Sequence, residues 1–378
     1  MSTTDYRTQT LDELARRAGN ASSRNALIGF DGFVDKIVKA VDKRSGQGKA
    51  FTPIKEIAAF GKRISDAAGH SANIELYPEL EKIGGNGPIM AEAIRATGAT
   101  VRYIGALGKP PHPVFEEFAT ATQAVSLCDP GITHAVEFDD GKIMLGMMAS
   151  LDEITYSRLI QTMGEGQMID AFSRADLIGM VNWTMIPNMT SLLSNLLERV
   201  FPNLGPRETG RSFFFDLADP AKRSDGDLRS VLDVISRYRT QGSVTLGLNL
   251  AEARQVTRVL GLKEIGGDDS GSLREAAARL RNKLETGCVV IHPRSGAACA
   301  TKADSWYVKG PYCERPVIST GAGDHFNAGF STAQMLGLTP PACLTVAVAT
   351  SGQYVRTARS PSLHETAAFI QDWNGEAP

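Results

Sequence analysis

Ser319-Thr320-Gly321-Ala322-Gly323-Asp324-His325-Phe326-Asn327-Ala328-Gly329-Phe330 is the most informative stretch of the chain. The polar, proline-containing CERPVI precedes it and the apolar helical pattern FNAGFSTAQMLG closes it. Residues 321–324 are therefore expected in a loop that opens a helix. Successive backbone N–H groups there, at the positive end of the helix dipole, form an anion site. A carboxylate inside an anion site is unfavourable unless it has a task. Asp324 is placed to take a proton from a substrate hydroxyl while the neighbouring amides stabilise charge on a transferring phosphoryl group. The competing reading makes Asp324 a helix cap and the glycines a tight turn.

Two further clusters lie upstream. Ile83-Gly84-Gly85-Asn86-Gly87-Pro88 precedes the helical IMAEAIRATGA and the strand-like VRYIGALG. Gly84 and Gly85 let the chain pass close to a small polar ligand, and Asn86 offers both a donor and an acceptor. Asn249-Leu250-Ala251-Glu252 follows the strand-like SVTLGL. Its Asn and Glu, three apart, share one helical face and could hold a hydrated Mg²⁺. A helix N-cap with Glu at the third position is the alternative. Other phosphate motifs fail: the chain has no GxxxxGK[ST], no GxGxxG and no HRDxxxxN.

Around these clusters, short β-branched or aromatic runs alternate with amphipathic stretches. Strands are expected at 25–30, 101–104, 176–181, 212–216, 243–248 and 288–292, and helices at 89–97, 189–200, 228–238, 250–259 and 273–284. That alternation predicts an α/β fold with a Rossmann-like, doubly wound, mostly parallel sheet covered by helices on both faces. After residue 292, GAACATK and SWYV read as an antiparallel meander. Two stretches break the rhythm: 36–82, with a helix expected at 54–68, and 131–147, where THAVEFDDGKIMLG reads as a hairpin turning at 139–141. Strands inserted beside a ligand-binding turn suit a small lid that excludes water from reactive phosphates.

Composition narrows the function from the other side. The 378 residues carry 40 basic and 42 acidic side chains, a net charge of −2, which argues against nucleic acid as a partner. No run of about 18 apolar residues is present, so membrane insertion is not expected, and the polar N-terminus points to a cytoplasmic location. The five cysteines form no CxxC pair and read as buried residues in a reducing compartment. The 37 glycines exceed the usual share, and their placement before helices is what carries information.

In combination, these segments resemble the ribokinase (PfkB) family of carbohydrate and nucleoside kinases. STGAGDHFNAGF is similar to that family's GAGDxFxxG signature at every fixed position, GGNGPIMAEAIRATGA resembles its N-terminal signature, and NLAE matches its NxxE. IGFDGFVDKIV resembles the first strand with the substrate aspartate, placed at Asp35, and FFFDLADPAKR resembles the mid-chain strand end that varies between sugar and nucleoside kinases. The resemblance spans residues 25–370. It implies one kinase domain over 1–378, with a β lid from parts of 33–83 and 131–147 through which a homodimer could form. It further implies Asp324 as the catalytic base, with Gly321, Ala322 and Gly323 as the anion hole. Asp35, Gly84, Gly85 and Asn86 would bind a sugar-like substrate; Asn249 and Glu252 would organise Mg²⁺ and the phosphates of ATP.

Three departures accompany the resemblance. Ile89 stands where the family usually has a second Asn, and His292-Pro293-Arg294 replaces its TxG, so Arg294 could substitute a bidentate phosphate contact. The 36–82 insertion exceeds the usual lid connection. The tail RTARSPS could bend near a monovalent cation. An ATP-dependent sugar kinase is the leading expectation. The alternatives are a nucleoside kinase, with Phe33 or Trp183 stacking on a base, and a non-catalytic sugar-binding regulator of the same fold.

Overall fold

The computed structural model describes residues 3–205 and 210–373. Nine strands form the main sheet: Asn25–Phe30 (β1), Thr100–Ala106 (β5), Val125–Cys128 (β6), Leu177–Met180 (β9), Arg211–Asp216 (β10), Gly242–Leu248 (β11), Cys288–Ile291 (β12), Gly296–Thr301 (β13) and Ser305–Lys309 (β14). Their order is β14-β13-β12-β11-β10-β9-β1-β5-β6. Every pairing from β12 to β6 is parallel, while β13 and β14 are antiparallel, as the meander reading requires.

The parallel strands are continuous apolar runs because helices cover both faces. NALIGF of β1 and RSFFFD of β10 are buried along nearly their whole length. One face packs Phe213, Phe215, Leu246 and Ile178 against the helices Asp225–Arg237 and Ser270–Leu284. The other packs Ile28, Tyr103, Phe214 and Val290 against Asn86–Ala96, Ala322–Met335 and Pro340–Thr357. Gly329 fixes the closest of these helix contacts. A Cβ there would meet Thr350 Oγ1 at 2.7 Å and the Ala347 Cα at 3.0 Å.

Five strands form a second sheet: Phe33–Arg44 (β2), Phe51–Pro53 (β3), Leu76–Gly84 (β4), Gly131–Phe138 (β7) and Gly141–Met147 (β8). Its order is β3-β2-β7-β8, with β4 also on β2. The β7–β8 hairpin turns over Asp139 and Asp140, at the expected place.

The long insertion has a packing explanation. Its helix, expected at 54–68, is confined to Ile57–Asp66, and Asp140 Oδ1 of the hairpin turn accepts the Ile57 N–H at 3.0 Å. Phe60 then buries against Phe138 with ring centroids 5.3 Å apart, joined by Val38, Ala40, Ile54 and Val136. The insertion thus supplies a small separate core beneath one face of the second sheet.

Two other boundaries differ from expectation. β6 escaped the sequence reading because VSLC is too short to show a period. The stretch 189–200 is an α-helix only over Met189–Asn195 and widens into a π turn over Leu196–Val200.

Candidate active site

The parallel strands end on one edge, and the polar residues gather just beyond it: Asp31 after β1, Asn182 after β9, Asp216 at the end of β10, Asn249 after β11 and His292 after β12. In open α/β sheets, ligands bind outside these carboxyl ends, where the strand order reverses. Here the reversal lies at β1, which neighbours both β5 and β9.

The glycine loop of the C-terminal motif is shorter than expected. The helix begins at Ala322, so Ala322, Gly323 and Asp324 form its first turn rather than a preceding loop. Gly321 is the N-cap, with φ of +86°, and a Cβ there would sit 3.0 Å from Tyr354 Oη. Tyr354 Oη donates to the Thr320 carbonyl at 3.0 Å, and Ser351 Oγ donates to that of Ala322 at 2.8 Å. These bonds fix the turn; the Ala322 N–H, expected in the anion hole, donates to the Ser319 carbonyl at 3.3 Å, which leaves the N–H groups of Gly321 and Gly323 as the candidate anion donors.

His325 secures the same turn from within. Its Nδ1 lies 2.8 Å from the Gly321 carbonyl, which can only accept, and its Nε2 lies 2.8 Å from Ser360 Oγ. Burial holds its pKa down at about 4, so the ring is neutral, with the proton on Nδ1. This bond also brings the RTARSPS tail against the motif helix.

Asp324 is buried, and its Oδ1 accepts a 2.8 Å hydrogen bond from Asn86 Nδ2. Burial holds the carboxyl well above the ordinary carboxylate range; the Asn86 bond opposes this, and the charges of Asp31 and Glu252 add to it. The two glycine-rich turns read separately from the sequence therefore meet at one carboxylate.

On the opposite side, Asp35 projects from β2 between Lys82 of β4 and Thr133 of β7. It is buried, which raises its pKa, while Lys82, a Thr133 hydrogen bond and Lys142 lower it. Gly84 lies against it so closely that a Cβ would meet Asp35 Oδ1 at 2.4 Å. Gly85 has φ of +96° and reverses the chain into the helix Asn86–Ala96. Ile89, which replaces a polar residue of the resembled family, is only 3.4 Å from a Cβ built on Gly321 and presents a methyl group there.

Asn249 and Glu252 form a capping box. Asn249 Oδ1 accepts the Glu252 N–H at 3.0 Å, and Glu252 Oε2 accepts that of Asn249 at 2.8 Å. Glu252 Oε1 accepts a third N–H, from Asp219, at 2.9 Å. The capping role leaves room for a site role, because each carboxylate oxygen retains a lone pair.

Beside Glu252 stands Asp216, which the sequence reading passed over. Its Oδ2 accepts from Asn327 Nδ2 at 3.1 Å, but its Oδ1 is buried without a partner. Burial, then the charges of Glu252 and Asp324, drive its pKa well up. Three buried carboxylates that repel one another, one with an orphaned oxygen, fit a cation and its hydration shell. Among the described residues, no three His, Cys, Asp or Glu side chains converge closely enough to ligate a metal directly.

Arg294 is not brought in. It is exposed, and among the described residues no hydrogen bond or ion pair holds it. His292 is the member of that triplet beside the loop: its Cε1 is 3.7 Å from a Cβ built on Gly323, and its ring stacks on Phe326 with centroids 4.5 Å apart. Phe33 and Trp183, considered for stacking on a base, are both buried, and Arg223 lies 4.3 Å over the Trp183 ring. Neither presents a free face. The second sheet adds a group the sequence did not single out: Lys142 Nζ of β8 donates to Thr320 Oγ1 at the edge of the anion turn.

Comparison with known proteins agrees with this geometry. A family model described as prokaryotic ketohexokinase matches residues 5–373. A ketohexokinase of Haloferax volcanii is 28 % identical over 377 residues, covering 97 % of this chain and 98 % of the relative. Among solved structures, an Arabidopsis thaliana ribokinase complexed with ribose and ATP superposes with a TM-score of 0.63 at 15 % identity, covering 92 % of this chain and 98 % of that one. A carbohydrate kinase from Agrobacterium tumefaciens gives 0.62 at 18 % identity, covering 92 % and 97 %. At these identities the structures speak for the fold.

Proposed function

The chain belongs to the prokaryotic ketohexokinase family of ribokinase-like carbohydrate kinases, and we propose that it transfers the γ-phosphoryl group of ATP to a hydroxyl of a ketohexose, with Asp324 as the general base. The observation that carries this reading is the Asp324 carboxylate in the first turn of the motif helix, oriented by Asn86. From there it can accept the proton of a hydroxyl attacking a phosphoryl group held on the N–H groups of Gly321 and Gly323. A base with a raised pKa takes that proton more readily, provided it is ionised when substrate is bound.

Asp35 and Asn86 flank the place the acceptor would take. Asp35 would accept from sugar hydroxyls, and Lys82 and a Thr133 hydrogen bond oppose the burial that raises its pKa. Lys142, bonded to Thr320, stands where the second sheet would close over the anion turn as a lid, adding positive charge at the transferring group. The orphaned oxygen of Asp216, with Glu252, would hold Mg²⁺ through its water shell, and the Asn249 backbone N–H fixes the Glu252 side chain that would do so. Held there, Mg²⁺ would supply positive charge that offsets the charge of the phosphates. The exposed Leu80, Leu145 and Met147 of the second sheet suit a homodimer contact.

The test is ATP turnover with fructose, tagatose, sorbose and psicose, set against ribose and adenosine, in the native chain and in Asp324→Asn. Turnover confined to ketohexoses, and lost by about 10³-fold or more in the variant while ATP still binds, is the expected result. Activity with adenosine alone would overturn the acceptor class. Near-native turnover in Asp324→Asn would overturn the base.

A further inference from the structure

A second carboxylate lies behind the first, and nothing in the transfer reaction uses it directly. Asp31 follows β1, is fully buried, and makes no ion pair among the described residues. Its Oδ2 accepts the Asn86 N–H at 2.9 Å and its Oδ1 accepts the Gly87 N–H at 2.8 Å. Asn182 Nδ2 donates a third bond to Oδ2, at 2.5 Å.

These two backbone donors are the first of the helix Asn86–Ala96. Its own N-cap is Gly85, which has no side chain to cap them. Asp31 therefore caps the helix from another element, where its charge also meets the positive end of the dipole.

Closeness is built into the neighbours. A Cβ on Gly85 would stand 2.9 Å from Asp31 Oδ2, and one on Gly87 would stand 2.6 Å from Asp31 Oδ1. The Asp31 backbone is fixed as well: its carbonyl accepts from Tyr103 Oη at 2.5 Å and from the Ala106 N–H at 3.2 Å. Asn182 holds a left-handed conformation, with φ of +59°, to reach it. A plain helix cap would not need a buried carboxylate bonded from two elements while a third, β5, holds its backbone carbonyl.

We propose that Asp31 is a positioning residue of the transfer reaction: by fixing the first turn of the helix Asn86–Ala96, it holds the Asn86 amide against Asp324. The path is short. Asn182 orients Asp31, Asp31 holds the Asn86 backbone, and the Asn86 side chain orients Asp324 at 2.8 Å. Asp31→Asn keeps the shape but turns one acceptor into a donor facing N–H groups.

This inference rests on the reading of Asp324 as the base, and the two fail separately. Activity surviving Asp324→Asn removes the base, whereas the cycle below concerns only how that base is held. ATP and ketohexose kinetics are measured for Asp31→Asn, Asn86→Ala and the double variant, with folding followed by circular dichroism. The expected result for Asp31→Asn is a kcat loss of roughly 10- to 100-fold, with KM for ATP within about twofold. In the Asn86→Ala background the same substitution should change kcat by less than about threefold. Multiplicative losses in the two backgrounds, or a rise in KM with kcat intact, would overturn the proposal. If Asp31→Asn does not fold, Asn182→Ala replaces it, because both backbone bonds to Asp31 survive. Its smaller kcat loss should again vanish in the Asn86→Ala background, and persistence at full size would overturn the proposal.

Discussion

Asn86 Nδ2 donates a 2.8 Å hydrogen bond to Asp324 Oδ1, joining side chains 238 residues apart in the sequence. The bond favours the ionised form of Asp324 against burial and against the charges of Asp31 and Glu252. Removing it in Asn86→Ala takes away the opposing effect, so the Asp324 pKa rises further. Activity that needs the carboxylate is lost as pH falls through that pKa, so the acid limb of the kcat/KM profile should move to higher pH. At neutral pH the loss should be about 10- to 100-fold, the worth of a charge-assisted hydrogen bond. An acid limb that stays in place would separate Asn86 from the base.

Asp216 predicts an opposition between stability and activity. Its carboxyl is buried, raised well above the ordinary range, and has one oxygen without a partner. A raised folded-state pKa means that the stabilising protonated form is fully present below the unfolded value near 3.8 and is lost as pH rises through the folded value. The native chain gives up that stability as pH rises past the folded value, and Asp216→Asn, which does not titrate, should keep it there. Its ligand-free Tm should rise by about 1–3 °C at pH 8 and by less at pH 5. Turnover should fall and the Mg²⁺ concentration for half-maximal rate should increase. A lower Tm for the variant at pH 8 would contradict this account.

The parallel sheet was legible because each of its longer strands is a continuous apolar run followed by a helical period, and β1, β10 and β11 fall within a residue or two of expectation. The anion turn was legible because glycine, a carboxylate and a helical pattern coincide within a few residues. What stayed hidden depends on tertiary pairing. FDGFVD contains two aspartates four residues apart, and only the reversal of the chain after β1 assigns Asp35 to the second sheet and Asp31 to the helix cap. Asp216 looked like an ordinary strand end until Asn327, Glu252 and Asp324 were brought around it. Arg294 went the other way: its place in the triplet that replaces TxG drew attention to it, but its side chain is exposed, and His292 packs against the turn instead.

Lys142 tests the contribution of the second sheet to the chemistry. Its side chain is exposed, donates to Thr320 Oγ1 and lowers the pKa of Asp35 from a distance. It therefore faces both the acceptor side and the anion turn while supporting little of the fold. Lys142→Met should lower kcat/KM for ATP by about 10-fold or more, because a cation near developing phosphoryl charge is lost. Lys142→Arg should restore much of it, and the Tm of both variants should stay within about 1 °C of native, as expected for an exposed side chain. Equal activity in the Met and native forms would leave the sheet a purely steric cover.

Gly84 separates the two halves of the site most cleanly. No positive φ is required of it, so alanine is tolerated by the backbone, and the three atoms nearest a new Cβ all belong to the Asp35 carboxylate. Lys82 and Thr133 flank Asp35 on the neighbouring strands. Gly84→Ala should therefore push the carboxylate off its position and raise KM for the sugar by about 10-fold or more, at the cost of misaligned acceptor contacts. KM for ATP should change by less than about twofold, because the anion turn is built by other residues. Gly61→Ala is the matched control: it lies in the helix Ile57–Asp66 with nothing within 4 Å of its Cβ. It should leave both KM values alone and stabilise the helix by roughly 0.5–1 kcal/mol. Should Gly84→Ala raise KM for ATP as much as for the sugar, Asp35 would belong to the nucleotide side instead.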